Sequence, residues 1–176
     1  DRFNLENMFG RIVKGMAYAN GSFNDRVVEI LKACGINYSR TVISTGNFEL
    51  PTEWLRLNPT CHHNDPKLME YVKHFLELEK RMDAPPKLFY LWGHSYEFNN
   101  DDNWDVIENF AKEISGKDDI WYATNGEIYD YVKAFESLVF SADGSIIYNP
   151  TAIDIHLCCF GKEIMVGSGE TVKADS

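Results

Sequence analysis

The residues of this chain best suited to chemistry are histidines and carboxylates in two short stretches. In the first, His94 follows an apolar run and precedes Ser95, Tyr96 and Glu97. An imidazole titrates near neutrality and can act as general acid or base, which makes His94 the candidate catalytic residue. The second stretch, Asn58 to Pro66, reads NPTCHHNDP and crowds Cys61, His62, His63, Asn64 and Asp65 into consecutive positions. Thiol, imidazole and carboxylate are all metal-ligand types. Adjacent histidines in extended chain nevertheless face opposite ways, and meet on one ion only across a tight turn. No HxxxH or HExxH spacing occurs to supply a helical pair instead. Three readings stay open for this stretch: a loop lining a polar pocket, a helix-capping loop, and a self-contained zinc site. No metal ligand is assigned from it.

Aromatic residues flank both stretches. Trp92, Tyr96, Phe98, Trp104 and Trp121 read mainly as core or rim packing. Trp54 lies in a long polar loop, where a second role is open. An indole beside Asn, Asp and His suits a sugar, whose apolar ring face stacks on it while its hydroxyls take the polar groups. His74 falls in a helix rich in Glu and Lys and reads as solvent-facing; His156 receives no role.

The elements that must position these residues alternate. A helix end, Asn4 to Val13, precedes a short strand from Gly15 to Ala19. A polar loop and a helix capped by Asn24 or Asp25 follow, with Gly35 as the stop. INYSRTVIS reads as a strand. Asp65 and Pro66 open a helix that runs to about Arg81. Leu88 to Phe98 is the next strand, buried at first and polar from Gly93, so that His94 arrives at its carboxyl end. Asn103 to Ile114 is a helix, DIWYATN a strand, and Glu127 to Leu138 a helix. Alternation of this kind signifies βαβ units around a parallel sheet or barrel, whose ligands sit at the carboxyl ends of strands. Beyond Leu138 the pattern becomes antiparallel, with hairpin signals at Asp143-Gly144 and Gly161-Lys162. The expected organisation is therefore an α/β part over 1–138 and a β-hairpin appendage of the same domain over 139–176.

A chain of 176 residues with 44% apolar and 14% aromatic content can bury a continuous core. Its net charge of −10, without a basic stripe, argues against nucleic acid as a partner. No apolar run approaches the ~20 residues of a membrane helix, and no signal peptide is recognisable. A cytoplasmic or otherwise soluble protein is expected. The cysteines, Cys34, Cys61, Cys158 and Cys159, form no CxxC pair and read as buried free thiols. Gly-rich phosphate loops, GxSxG elbows and dinucleotide fingerprints are absent from the sequence.

The ordered set GMAYANGSFND, a helix ending ACGI, STGNF, NPTCHHND, FYLWGHSYEF, WYATNGEIYDYV and GETV resembles the polysaccharide deacetylases, carbohydrate esterase family four, over nearly the whole chain. The resemblance implies a distorted (β/α) barrel and removal of acetyl groups from an amino-sugar polymer by amide hydrolysis. It also implies a divalent metal cofactor, often zinc. It gives His94 the role of protonating the leaving amine. Tyr18 and Asn20 would line the substrate, as would Trp54, His62, His63, Asp65, Trp92 and Glu97. Ala19 stands where the family usually has Pro. The paired aspartates and the HxxxH that hold the family's metal are not found, and the chain is expected to start just after both. On that reading it is an N-terminally incomplete barrel, inactive as it stands. A neighbouring chain or a missing segment would then cover the open edge. The alternative is a non-catalytic carbohydrate-binding or interaction module on the same scaffold.

Overall fold

The computed structural model describes residues 1–78, 81 and 83–174. They form two compact units, the first made of 1–78 and 86–121, the second of 122–174 together with the described residues of 79–85. The first unit opens with α1 (Arg2–Phe9), where Arg2 Nε meets Glu6 Oε1 at 2.8 Å one turn away. Strand β1 (Gly15–Ala17) then pairs in parallel with β2 (Tyr38–Arg40). The crossover between them contains α2 (Asp25–Ala33), whose N-cap is Asn24; its Oδ1 accepts from Val27 N at 3.0 Å. Tyr18, Val28, Ile36 and Leu55 pack into one core.

A parallel bridge from Arg40 to Leu57 carries the order onward to β3 (Cys61–His62). β3 pairs in parallel with β4 (Leu91–Trp92) across α3 (Leu68–Leu76). The parallel segments thus lie side by side in chain order, without the reversal of a doubly wound sheet. Their ladders are short, and among the described residues they join into small sheets and not a closed barrel. Cys61, Leu68 and Val72 are buried here against Phe89, Leu91 and Phe110, the last from α5 (Trp104–Ile114). Burying one such side chain fully is worth about 1.5–3 kcal/mol. The expected start of α3 at Asp65 moves to Leu68, because Asp65 Oδ1 accepts from Lys67 N at 2.9 Å and spends itself on a turn. The predicted continuation to Arg81 crosses positions 79 and 80, outside the described residues.

The predicted strand Leu88–Phe98 is corrected in both halves. Only Leu91 and Trp92 form a ladder. Upstream, Thr60 Oγ1 takes Tyr90 N at 3.0 Å, so a side chain replaces the neighbouring backbone. Downstream, Ser95–Asn100 is a helix, α4, with His94 as its N-cap. Glu97 reaches back three residues to accept from His94 N at 3.1 Å. Likewise Asp119–Asn125 belongs to no strand, since Thr124 caps α6 (Asn125–Glu136) through a reciprocal box with Glu127.

The second unit groups α6 with the antiparallel strands. β5 (Val139–Phe140), β6 (Ile146–Tyr148) and β9 (Thr171–Lys173) form one sheet. β7 (Ile155–Cys159) and β8 (Lys162–Val166) form a hairpin. Both predicted hairpins are present. In the second, Phe160 and Gly161 take φ of 50° and 75°, the pair of left-handed residues that a two-residue turn of matching twist requires. Ala134, Leu138, Ile147, Ile155, Val166 and Ala174 make this unit's core. Asn149 is fully buried beside it, donating to Ile153 O at 2.8 Å and Val166 O at 2.9 Å. The four cysteines are unpaired, but only Cys61 is fully buried; Cys34 is exposed. Among the described residues no helix is long and apolar enough to cross a membrane.

Candidate functional site

Four consecutive parallel segments end on the same side of the first unit, as parallel pairing requires, with Tyr18, Arg40, His63 and Gly93 just at or beyond them. The β3 and β4 ends carry the chemistry. His63 N donates to Trp92 O at 2.9 Å, which locks the two ends in register. Directly after β3 the chain turns, with Asp65 N donating to His62 O at 3.0 Å. This turn brings two neighbouring imidazoles to one side, their ring centroids 4.3 Å apart. Straight extended chain would have separated them.

Both imidazoles face Glu97 from α4. His62 Nε2 lies 3.2 Å and His63 Nε2 3.4 Å from the same oxygen, Glu97 Oε2. The other carboxylate oxygen, Oε1, lies 3.3 Å from His94 Nδ1. One carboxylate therefore gathers three imidazoles. His94 is half exposed, whereas His63 is only 3% exposed. Space for the buried ring comes from Gly93: a Cβ there would overlap His63 Nδ1.

Electrostatics follow from this crowding. Burial depresses the basicity of His63, and the neighbouring His62 adds to that, while Glu97 partly opposes it. Burial pushes Glu97 upward, but hydrogen bonds from the His94 main chain and side chain outweigh it, and its carboxyl ends below the usual range. Burial, with Asp65 nearby, pushes the Cys61 thiol up to about 12, so Cys61 is no nucleophile.

Around this cluster, Trp92 is held between His62, centroids 4.5 Å apart, and the Arg40 guanidinium, 4.5 Å from its ring. Tyr96 stacks on His94 at 5.2 Å and is largely exposed. Beyond His63 opens a cleft of about 460 Å³, lined among others by Asn64, Asp65, Asp101, Asn103 and Asp105. Its walls are acidic and amide-rich. Asn64 Nδ2 donates to Asp101 Oδ2 at 3.1 Å, and Asn103 Nδ2 to Asn64 Oδ1 at 3.2 Å.

Of the residues expected at the site, His62, His63, His94, Glu97 and Trp92 meet, and Asp65 lines the adjoining cleft. Tyr18 and Trp54 depart from their expected roles. Tyr18 is buried, donating through its hydroxyl to Leu55 O at 2.7 Å and stacking on Phe23. Trp54 is buried in a 3-10 turn. Both side chains are buried. Asn20 is exposed in a left-handed turn after β1. Arg40, Asp101 and Asn103 were not anticipated; no sequence spacing ties them to the histidines, since only the folded register does.

A divalent metal is implied by the family resemblance, and its fit can be tested on the residues present. His62, His63 and Glu97 offer two imidazole nitrogens and a carboxylate oxygen, all within 4.8 Å of one another. That donor chemistry suits zinc. Comparison with family models, with curated proteins and with solved structures gave no match.

Proposed function

We propose that this chain is a carbohydrate-directed protein of the polysaccharide deacetylase type, acting at acetyl groups of an amino-sugar polymer. The observation that carries the reading is the gathering of His94, Glu97, His62, His63 and Trp92 where parallel strands β3 and β4 end, the position at which (β/α) folds bind ligands. Within it, Trp92 and the exposed Tyr96 supply flat apolar faces for sugar rings. The amides and carboxylates of the adjoining cleft supply hydrogen-bond partners for hydroxyl and acetamido groups. His94, oriented by Glu97, holds or delivers a proton at the edge of the site, as expulsion of an amine leaving group needs. A bound divalent ion would supply carbonyl polarisation and an acidified water; His62, His63 and Glu97 are the residues that would hold it.

The test combines calorimetric titration with chito-oligosaccharides and an assay of acetate release from them. Saturable binding that weakens at least tenfold in Trp92→Ala is expected. His94→Ala should leave binding within about twofold and lower any release by ~10²–10⁴, the usual contribution of a general acid. Binding without release would select the non-catalytic alternative. Neither binding nor release at millimolar sugar rejects the carbohydrate reading altogether.

A further inference from the structure

We infer that His62, His63 and Glu97 form a binding site for a zinc-class divalent ion with an open coordination position. These are the residues named above as those that would hold a divalent ion, and the inference adds that they bind it with an open position. It stands whether or not the protein acts on carbohydrate.

Two observations carry it. The first is spacing. Tetrahedral zinc with bonds of about 2.0–2.2 Å holds its ligand atoms ~3.3–3.6 Å apart. His62 Nε2 and His63 Nε2 already lie 3.2 and 3.4 Å from Glu97 Oε2. All three donors fall within 4.8 Å of one another, so the remaining edge closes by a modest ring movement. The second is an orphaned atom. His63 is 3% exposed, yet its Nε2 is buried without a hydrogen-bond partner while facing this cluster. An unmatched buried polar atom is costly, and a ligand there would remove that cost.

The surroundings match what metal ligands need. His94 Nδ1 at 3.3 Å from Glu97 Oε1 orients the carboxylate from outside the ion, as outer partners of metal sites do. Two histidines and one carboxylate leave a fourth position for water or substrate, the pattern of catalytic rather than structural zinc. His63 also borders the acidic cleft, so the ion would sit beside an entry path.

One hydrogen bond must change when the ion binds. Asn64 N donates to His62 Nδ1 at 3.2 Å, which places the proton of neutral His62 on Nε2. Ligation through Nε2 transfers that proton to Nδ1 and breaks the bond from Asn64. Nothing else in the turn needs to be remade.

The experiment titrates the chelator-treated full chain with Zn²⁺ by calorimetry, with Co²⁺ absorption and amide NMR in parallel. Expected are one equivalent of zinc, a Co²⁺ spectrum of nitrogen and oxygen ligation without thiolate charge transfer, and a shift of the Asn64 amide. His62→Ala and Glu97→Gln, both at partly exposed side chains, should each weaken zinc at least tenfold. His156→Ala and Cys34→Ser should leave it unchanged. Circular dichroism identifies any variant that fails to fold; Glu97→Gln, nearly isosteric, then decides. No saturable binding up to millimolar zinc overturns the inference. So does binding unaffected by Glu97→Gln, or abolished by Cys34→Ser.

Discussion

His63 concentrates the tension of the site in one side chain: it is buried, surrounded by His62, His94 and Glu97, and harder to protonate than a free imidazole. The consequence for stability has a definite sign. The unfolded chain takes up a proton near pH 6.5 that folded His63 refuses, so stability is full above that value and falls as pH drops through the folded value. Glu97 acts in the same direction lower down, because its folded carboxyl lies below 4.5. In the presence of chelator, urea denaturation should therefore show stability declining from pH 7.5 to pH 5.5. His63→Gln should flatten that decline; an equal decline in the variant would assign it to other groups. The residue types at this site were legible in the sequence, as were His94 and the crowded CHHND stretch. What the sequence concealed was that His62 and His63 share one partner. That depends on the turn after His62 and on the β3–β4 register, neither of which leaves a spacing signature.

Helices and hairpins were the most legible elements, since caps and turn residues announce them locally. α2 follows its Asn24 cap, and α6 its Thr124–Glu127 box. The strand over Leu88–Phe98 misled for a physical reason. Its first half, Leu88 to Trp92, is apolar enough to look like a strand, but beyond it His94 and Glu97 cap a helix, and histidine is not a residue from which a cap is usually read. Asn149 was also silent in the sequence, because an asparagine before proline reads as a turn. In the structure it ties β6 to β8 and to the 149–153 loop, accepting at Oδ1 from Thr151 N at 3.0 Å while donating to Ile153 O and Val166 O. Asn149→Ala should strand those carbonyls and lower stability by about 2–4 kcal/mol, read from the denaturation midpoint. A loss under about 0.5 kcal/mol would mean that water replaces the amide without penalty.

At the scale of the whole molecule, charge is the property that composition predicts best. A net charge of −10 draws cations, and it reaches the cleft as Asp65, Asp101 and Asp105. Raising sodium chloride from about 20 to 200 mM should then weaken zinc several-fold, as screening shortens the range of that field. Salt-independent affinity would confine the attraction to the three donors. The parallel order of the first unit was legible in the alternation of strand and helix patterns. Its short ladders were not, because Thr60 and the capping residues take over bonds that a longer strand would have used. Gly93 bears finally on inheritance. His94 is half exposed and its replacement leaves the backbone path intact, whereas any side chain at 93 collides with the ring of His63. A saturation library selected only for folding should thus keep glycine at 93 and drift freely at 94. Lineages descended from this chain could lose the chemistry of the site long before they lose the shape that once held it.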